Sequence, residues 1–218
     1  MQEHLEQEFD IVSGAAGLEA LAQITEQINQ QRSLPSILRQ LCLLSVSQTA
    51  VKPKDWAAVT AALYHSYGHK HMQTLVDLEE AGLLLQHEGR VGNVPRLRKR
   101  FKLVVADGRV ADGATLFGFK PLSAAVINEV TSKGEWDADL ARSMPTGPVF
   151  TERHAGTAPP APQAGGNRSN RGGLCLVYFL GGVTCAELAA LRQLGKDRFV
   201  FATTNTCTAQ SMLRSVIA

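Results

Sequence analysis

The chain has 218 residues, of which 22 are Lys or Arg and 20 are Asp or Glu, so its formal net charge is +2. Apolar residues make up 44% of the sequence and charged residues 19%, as in ordinary globular proteins. This composition excludes a wholly disordered chain and a strongly basic nucleic-acid tail. The length excludes a mini-protein that needs disulfides or metals to fold.

The N-terminal residues are polar and acidic, and no apolar run approaches the roughly 18 to 20 residues of a transmembrane helix. We therefore expect no signal peptide and a cytoplasmic protein. The four cysteines at positions 42, 175, 185 and 207 form no CxxC pair and lie in apolar stretches. Reduced thiols are the expected state, and neither a metal site nor a cofactor is predicted.

Residues 1–150 are predicted to form a mostly helical domain, because apolar residues recur there at helical spacing. The predicted helices lie around Leu18–Ile28, Ser33–Leu44, Pro53–Tyr67, His69–Ala81, Leu122–Val130 and Asp137–Ser143. Ser33 and Pro35 suit a helix start, and Gly82 suits a helix end. Phe101–Val105 is predicted to be a short strand.

Residues 151–173 are predicted to be a flexible linker, because they are rich in Gly, Pro, Ala and Asn and have no apolar period. Residues 174–218 then change character. Leu174–Leu180 is a continuous apolar run typical of a strand in a parallel sheet, Thr184–Leu194 is predicted to be a helix, and Arg198–Thr204 a second strand before a closing helix. Two strands alone leave their edges and faces uncovered, so this unit needs more strands.

Three features of the sequence are candidates for a functional site. Gly181-Gly182 lies between a strand and a helix, as in phosphate-binding turns, but no other part of a nucleotide motif is present. His65, His69 and His71 cluster, but no familiar metal-ligand spacing completes the set. Arg96–Lys102 carries five positive charges in seven residues and leads into the predicted strand. No catalytic constellation is recognisable, so the chain is not expected to be an enzyme.

His69–Leu84 is similar to the second helix of a winged-helix unit entering its wing. With the basic run nearby, a winged-helix nucleic-acid-binding protein is the alternative interpretation. Against it, this helix carries Asp77, Glu79 and Glu80, which would repel phosphates. The same fold also serves as a protein-contact module.

Motifs spread over nearly the whole chain resemble the SM (Sec/Munc, syntaxin-binding) family. The resemblance is greatest to its vacuolar protein sorting-associated protein 33 branch, which supplies the SM subunit of the HOPS and CORVET tethers. The matching motifs, in chain order, are Ser33–Ser45, Tyr67–Met72, Leu78–Leu84, Phe119–Ser123, Pro145–Phe150, Phe179–Arg192 and Phe201–Thr204. The chain departs from the family at Cys185, where Phe is usual, and at Asn205, where Lys is usual. His69 and Met72 replace an aromatic residue and Ile, and features of both the A-type and the B-type occur.

The resemblance implies an α+β fold with two parts. The first is a mostly α-helical domain with a winged-helix-like part, corresponding to the family's third domain. The second is a C-terminal β-α-β-α fragment of a parallel α/β sheet, whose other strands come from much earlier in full-length members. The helical domain is expected to dock the helical solenoid of the tether's sixteen-type subunit, or the related solenoid of the B-type. By motif position, Thr60, His69 and Met72 fall on this docking surface.

The resemblance further implies a non-enzymatic role in vesicle docking, SNARE assembly and membrane fusion. The protein is expected to act at endosomal, vacuolar or lysosomal membranes, to which its partners attach it. Family members hold SNAREs largely through a first domain and a helical hairpin that this chain lacks. We therefore expect partner docking by this chain without productive SNARE binding, and no nucleic-acid partner.

Overall fold

The computed structural model describes residues 2–15, 19–47, 53–84, 94–104, 118–133, 136–144, 174–195 and 198–217. They form two compact units. The first unit comprises residues 1–98 and 207–218, and the second comprises residues 99–206. The elements in chain order are α1 (Gln2–Ser13), α2 (Glu19–Asn29), α3 (Leu34–Ser47), α4 (Pro53–Tyr67), a 3-10 turn (His69–His71), α5 (Met72–Glu80), α6 (Val94–Phe101), α7 (Leu122–Lys133), α8 (Ala138–Ser143), β1 (Cys175–Phe179), α9 (Cys185–Gln193), β2 (Phe199–Thr203) and α10 (Ala209–Val216).

Helix α3 lies at the centre of the first unit and packs against α1, α2 and α10. Its apolar residues recur every three or four positions, so they share one face of the helix. That face is buried in full and consists of Leu34, Ile37, Leu38, Leu41 and Leu44. The same buried cluster includes Ile24 and Ile28 from α2, Val59 and Leu63 from α4, and Leu75 and Leu78 from α5.

A row of glutamines crosses this core. Gln40 donates from Nε2 to Oε1 of Gln27 at 3.1 Å, and Gln27 donates from its own Nε2 to Oε1 of Gln7 at 3.2 Å. Gln40 and Gln27 are buried, and each gives the other's amide a partner. Because a buried amide without a partner is costly, this row favours one alignment of α1 and α2 on α3.

The second unit contains a two-stranded parallel sheet in which Cys175 pairs with Phe199 and Phe179 with Thr203. Its inner face packs Phe179 and Phe201 against α7 and α9. A capping box closes the start of α9, where Thr184 and Glu187 bond each other's backbone amides. Ser123, at the start of α7, donates from Oγ to Oε1 of Glu187 at 2.8 Å, so one carboxylate ties both helix starts together.

The outer face of this sheet is uncovered in the described part of the chain. Leu176 and Tyr178 alternate with the inward residues of β1 and are 65% and 56% exposed. Val200, the neighbour of Leu176 on β2, is also exposed. The continuous apolar run of β1 is therefore half-buried on one face and exposed on the other.

The predicted α+β class is confirmed: the described chain is mostly helical with one small parallel sheet. The predicted strand at Phe101–Val105 is wrong. Phe101 ends α6, and Val104 makes only an isolated antiparallel bridge to Phe119. The basic run forms a helix because Leu97 is fully buried while Arg98 and Arg100 find acceptors of their own.

The grouping of the elements differs from the predicted division into 1–150, 151–173 and 174–218. Helices α7 and α8 belong to the compact unit that contains the sheet, whereas α10 belongs to the helical unit. The predicted linker lies outside the described residues, as does the Pro145–Phe150 motif. The bounds of the three predicted segments therefore stay predictions.

Candidate functional site

The segment that carries two of the predicted site residues is a 3-10 turn leading straight into α5. Gly68 separates it from α4 with a φ of +87°, a conformation that glycine adopts without steric cost. At the other end, Gly82 has a φ of +71°, its amide donates to Glu79, and the amide of Leu83 donates to Leu78. These two bonds form a Schellman motif. Glycines thus define both ends of the segment.

One face of this segment is exposed and partly apolar. Met72 is 52% exposed and Val76 is 45% exposed, and the two are one helical turn apart. His69 precedes Met72 by three positions and is also exposed, so it extends the same face. The opposite face of α5 is buried through Thr74, Leu75 and Leu78. We call His69, Met72 and Val76 the α5 surface.

Helix α4 supports the α5 surface through an aromatic contact. The rings of Tyr64 and His69 lie 5.1 Å apart between centroids and are tilted by 38°. Thr60 is one turn before Tyr64 on α4, which places it beside this contact along the helix. The Thr60 side chain is half-buried, and its hydroxyl is enclosed without a hydrogen-bond partner in the described structure. Of the three predicted residues, His69 and Met72 are therefore exposed, whereas Thr60 is half-buried with its hydroxyl enclosed.

Two polar groups lie beneath the α5 surface. Nδ1 of His71 and Oγ1 of Thr74 are buried and have no hydrogen-bond partner among the described residues. Both side chains line a small enclosed space together with Tyr64 and Tyr67. Desolvation lowers the pKa of His71, and the neighbouring charge of Lys70 lowers it further. The neutral imidazole is thus the favoured form at this position.

Two residues of the site were missed from the sequence. Val76 was not assigned to the surface, although its position one turn after Met72 is a signal that could have found it. Tyr64 was missed because nothing in the local sequence indicates that its ring contacts His69. Both lie in elements whose helical character was predicted correctly.

The other candidate sites are occupied by internal contacts. The amide of Gly181 donates a hydrogen bond of 3.0 Å to Oγ1 of Thr204. This amide of the turn therefore links the ends of β1 and β2. In the basic run, Arg98 bonds the carbonyl of Val12, and Arg100 bonds Glu129. Two of the five cations therefore serve contacts within the protein.

Among the described residues, no group of three or more His, Cys, Asp or Glu side chains is placed to hold a metal ion. None of the helices in the described ranges is long and apolar enough to cross a bilayer.

Comparisons with known proteins show to which family the chain belongs. The model of the Sec1 family matches residues 1–215. The chain is 31% identical over 259 aligned positions to vacuolar protein sorting-associated protein 33B of Danio rerio, covering 99% of this chain and 41% of that protein. It is 33% identical over 231 positions to vacuolar protein sorting-associated protein 33A of Rattus norvegicus, covering 98% of this chain and 36% of that protein.

A plant relative, the vacuolar protein-sorting-associated protein 33 homolog of Arabidopsis thaliana, is 35% identical over 182 positions, covering 78% of this chain and 30% of that protein. The chain thus spans well under half the length of these relatives. None of these matches supports the nucleic-acid alternative, whereas the predicted resemblance is confirmed. Taken with the ordered motifs and the mostly helical α+β fold, the match over 1–215 establishes that this chain belongs to the Sec1 family.

Proposed function

We propose that this chain is the partner-docking portion of an SM-family subunit of an endosomal or vacuolar tethering complex of the HOPS or CORVET type. The observation that carries the proposal is the exposed apolar α5 surface on a chain of the Sec1 family. In its longer relatives we propose a role in vesicle docking, SNARE assembly and membrane fusion. The proposed role involves no catalysis.

The α5 surface suits a protein partner for a physical reason. Large side chains that stay exposed in a folded chain, such as Met72 and Val76, lose contact with water only when a partner covers them. Met is flexible and adapts to irregular partner surfaces. The ring of His69, supported by Tyr64, adds a rigid edge beside them. A helix of the partner laid across this face would bury all three side chains of the surface.

The partner we propose is the helical solenoid of the sixteen-type tether subunit, or the related solenoid that serves the B-type. The chain would then reach late endosomal, vacuolar or lysosomal membranes as a peripheral component, held there by its partners. The relatives that motivate this choice include both a 33A and a 33B protein at similar identity, so both solenoids belong in the test.

For the second unit we propose completion by further strands. The outer face of β1 and β2 exposes Leu176, Tyr178 and Val200, and such a face is stable when another layer covers it. The relatives are much longer than this chain, and their additional residues are the proposed source of those strands. The proposed domains remain 1–150 for docking, 151–173 for the linker and 174–218 for the α/β part.

The test is a calorimetric titration of the full chain with each of the two purified solenoids. Saturable binding to one of them, with a negative heat-capacity change from apolar burial, is the expected result. A short DNA duplex at physiological salt serves as the control ligand. Failure of both solenoids to bind would remove the proposal.

A further inference from the structure

The C-terminal helix α10 belongs to the helical unit and not to the sheet that precedes it in the sequence. Leu213 is 3% exposed and is part of the same buried cluster as the residues of α3 and α5. Val216 and Ile217 pack partly against this cluster, whereas Met212 faces outward and is 42% exposed. Thr208 caps the start of the helix together with Ser211. Helix α10 is thus an amphipathic helix inserted into a core built by distant residues.

Helix α5 depends on neighbours for its position. It has only nine residues, which is too short for a helix to be stable alone in water. Its main packing partners are the adjacent 3-10 turn and α10. Leu75 and Leu78 on its inner face share the buried cluster with Leu213. The inner face is therefore anchored in part by a helix that is far away in the sequence.

The orientation of the inner face sets the orientation of the outer one. A helix is rigid over two turns, so a rotation that moves Leu75 and Leu78 also moves Met72 and Val76. Helix α10 packs against α5, and Leu213 lies in the buried cluster that also holds Leu75 and Leu78. This packing limits such rotation, because close-packed side chains leave few alternative arrangements. Removing the Leu213 side chain would leave a cavity in that cluster.

We infer that α10 positions the α5 surface for its partner, with Leu213 as the positioning residue, although α10 lies behind the surface. The inference rests on the proposed docking function and adds the C-terminal helix to the parts that docking requires. It also predicts that changes on the buried face of α10 weaken partner binding while the sheet of the second unit stays unaffected.

The experiment compares variants of the 218-residue chain by two readouts, hydrogen exchange of the amides of residues 74–80 and affinity for the solenoid. Leu213→Ala is expected to speed exchange in α5 and to weaken binding about fivefold or more, a size typical of coupling through packed side chains. Leu213→Met conserves the side-chain volume and should restore both readouts. Met212→Ala, on the outward face of α10, is the matched neighbour control and should change neither.

A second control separates positioning from general stability. Ile24→Ala removes an equally buried residue from the same cluster and lowers stability, and its helix α2 packs mainly against α3 and α4. If Ile24→Ala weakens binding and speeds α5 exchange as much as Leu213→Ala does, the inference is overturned. Unchanged α5 exchange in Leu213→Ala would overturn it as well. If the unaltered chain binds neither solenoid, the proposed function fails, and the exchange readout still decides whether α10 holds α5.

Discussion

Arg98 closes the C-terminal end of α1: its Nη1 donates a hydrogen bond of 2.6 Å to the backbone carbonyl of Val12. The last carbonyls of a helix lack partners within the helix, and they carry the negative end of its dipole. A guanidinium satisfies both needs. A cation of the basic run therefore serves as a helix cap for a residue 86 positions earlier.

Replacing Arg98 by Met tests the cap. We expect Arg98→Met to lower the free energy of unfolding by about 1 to 2 kcal/mol, because a charge-assisted hydrogen bond is lost from a half-buried site. Arg96→Met is the control, since Arg96 is exposed on the same helix, and its effect should stay within about 0.5 kcal/mol. Urea unfolding followed by circular dichroism measures both. Equal effects of the two changes would argue against the cap.

Gly14 follows α1 with a φ of +83°, directly beside Arg98. A Cβ at this position would lie 3.2 Å from Nη2 of Arg98, and the backbone conformation itself disfavours an L side chain. We expect Gly14→Ala to cost about 1 kcal/mol or more of unfolding free energy. In the control, Gly195→Ala, the new Cβ meets the ring of Phe199 at 3.4 Å and the φ is not positive. That change should be near neutral or slightly stabilising in thermal unfolding.

Met72→Asp is the sharpest test of the α5 surface. A charge at the centre of a packed interface should weaken binding of the solenoid by about 2 kcal/mol or more. Because Met72 is exposed in the free chain, the melting temperature should hardly change. The control is Leu176→Asp, which places the same charge on an exposed apolar residue of the second unit. If both variants bind like the unaltered chain, the interface lies elsewhere.

Acid should destabilise the second unit through Glu129. Oε1 of Glu129 accepts hydrogen bonds of 2.6 Å from both Lys133 and Arg100, and Arg100 also bonds Asp137. The bond from Lys133 is the main cause of the lowered pKa of Glu129. Burial opposes it, and the bond from Arg100 and the charges of both cations add to the lowering. A lowered pKa means that the charged form is favoured in the folded chain, so this stabilisation is complete above about pH 4.5 and is lost as the pH falls through the folded pKa.

Glu129→Gln removes that dependence. We expect the unfolding free energy of this variant to fall less steeply between about pH 4.5 and 3 than that of the unaltered chain. Glu80→Gln, outside this cluster, is the control and should keep the original slope. Thermal melts at a series of pH values measure both, and an unchanged slope in Glu129→Gln would contradict the assignment.

The cysteines should differ in reactivity. Burial raises the pKa of the Cys42 thiol to about 12, whereas Cys185 is exposed at the start of α9. At pH 8 only roughly one Cys42 in ten thousand would be a thiolate, which is the reactive form. We expect iodoacetamide to label Cys185 first and Cys42 last, as read by peptide mass spectrometry. In urea the two rates should converge, and equally fast labelling of Cys42 in the native chain would disprove the burial argument.

Helices α2 to α5 of the first unit could be predicted because their buried residues follow a local period, whereas α1 is absent from the predicted helices. In α3, Ile37, Leu38 and Leu41 repeat at helical spacing, and all three are buried as expected. Local signals also placed β1, β2 and the capped start of α9 within a residue or two. Helix α6 was not predicted, because it buries only Leu97 and a single buried residue among many cations produces no apolar period.

What could not be predicted depends on contacts between distant residues. Nothing near Leu213 indicates that α10 packs with α3 and α5 and not with the sheet that it follows. The ring contact of Tyr64 with His69 likewise appears only once the turn after Gly68 has folded. For the candidate site, motif position puts Thr60, His69 and Met72 on one surface. His69 and Met72 are exposed, but the enclosed hydroxyl of Thr60 depends on how α4 packs.

The discontinuity of the helical unit has a consequence during synthesis. Its core includes Leu213, yet residues 99–206 are translated between α6 and that side chain. At typical translation rates the ribosome needs roughly 5 to 20 s to cross this stretch. Throughout that interval Leu213 is missing from the buried cluster, and the apolar residues that it covers are accessible to chaperones. Of the two units, the helical unit is thus the first whose synthesis starts and the last whose synthesis ends.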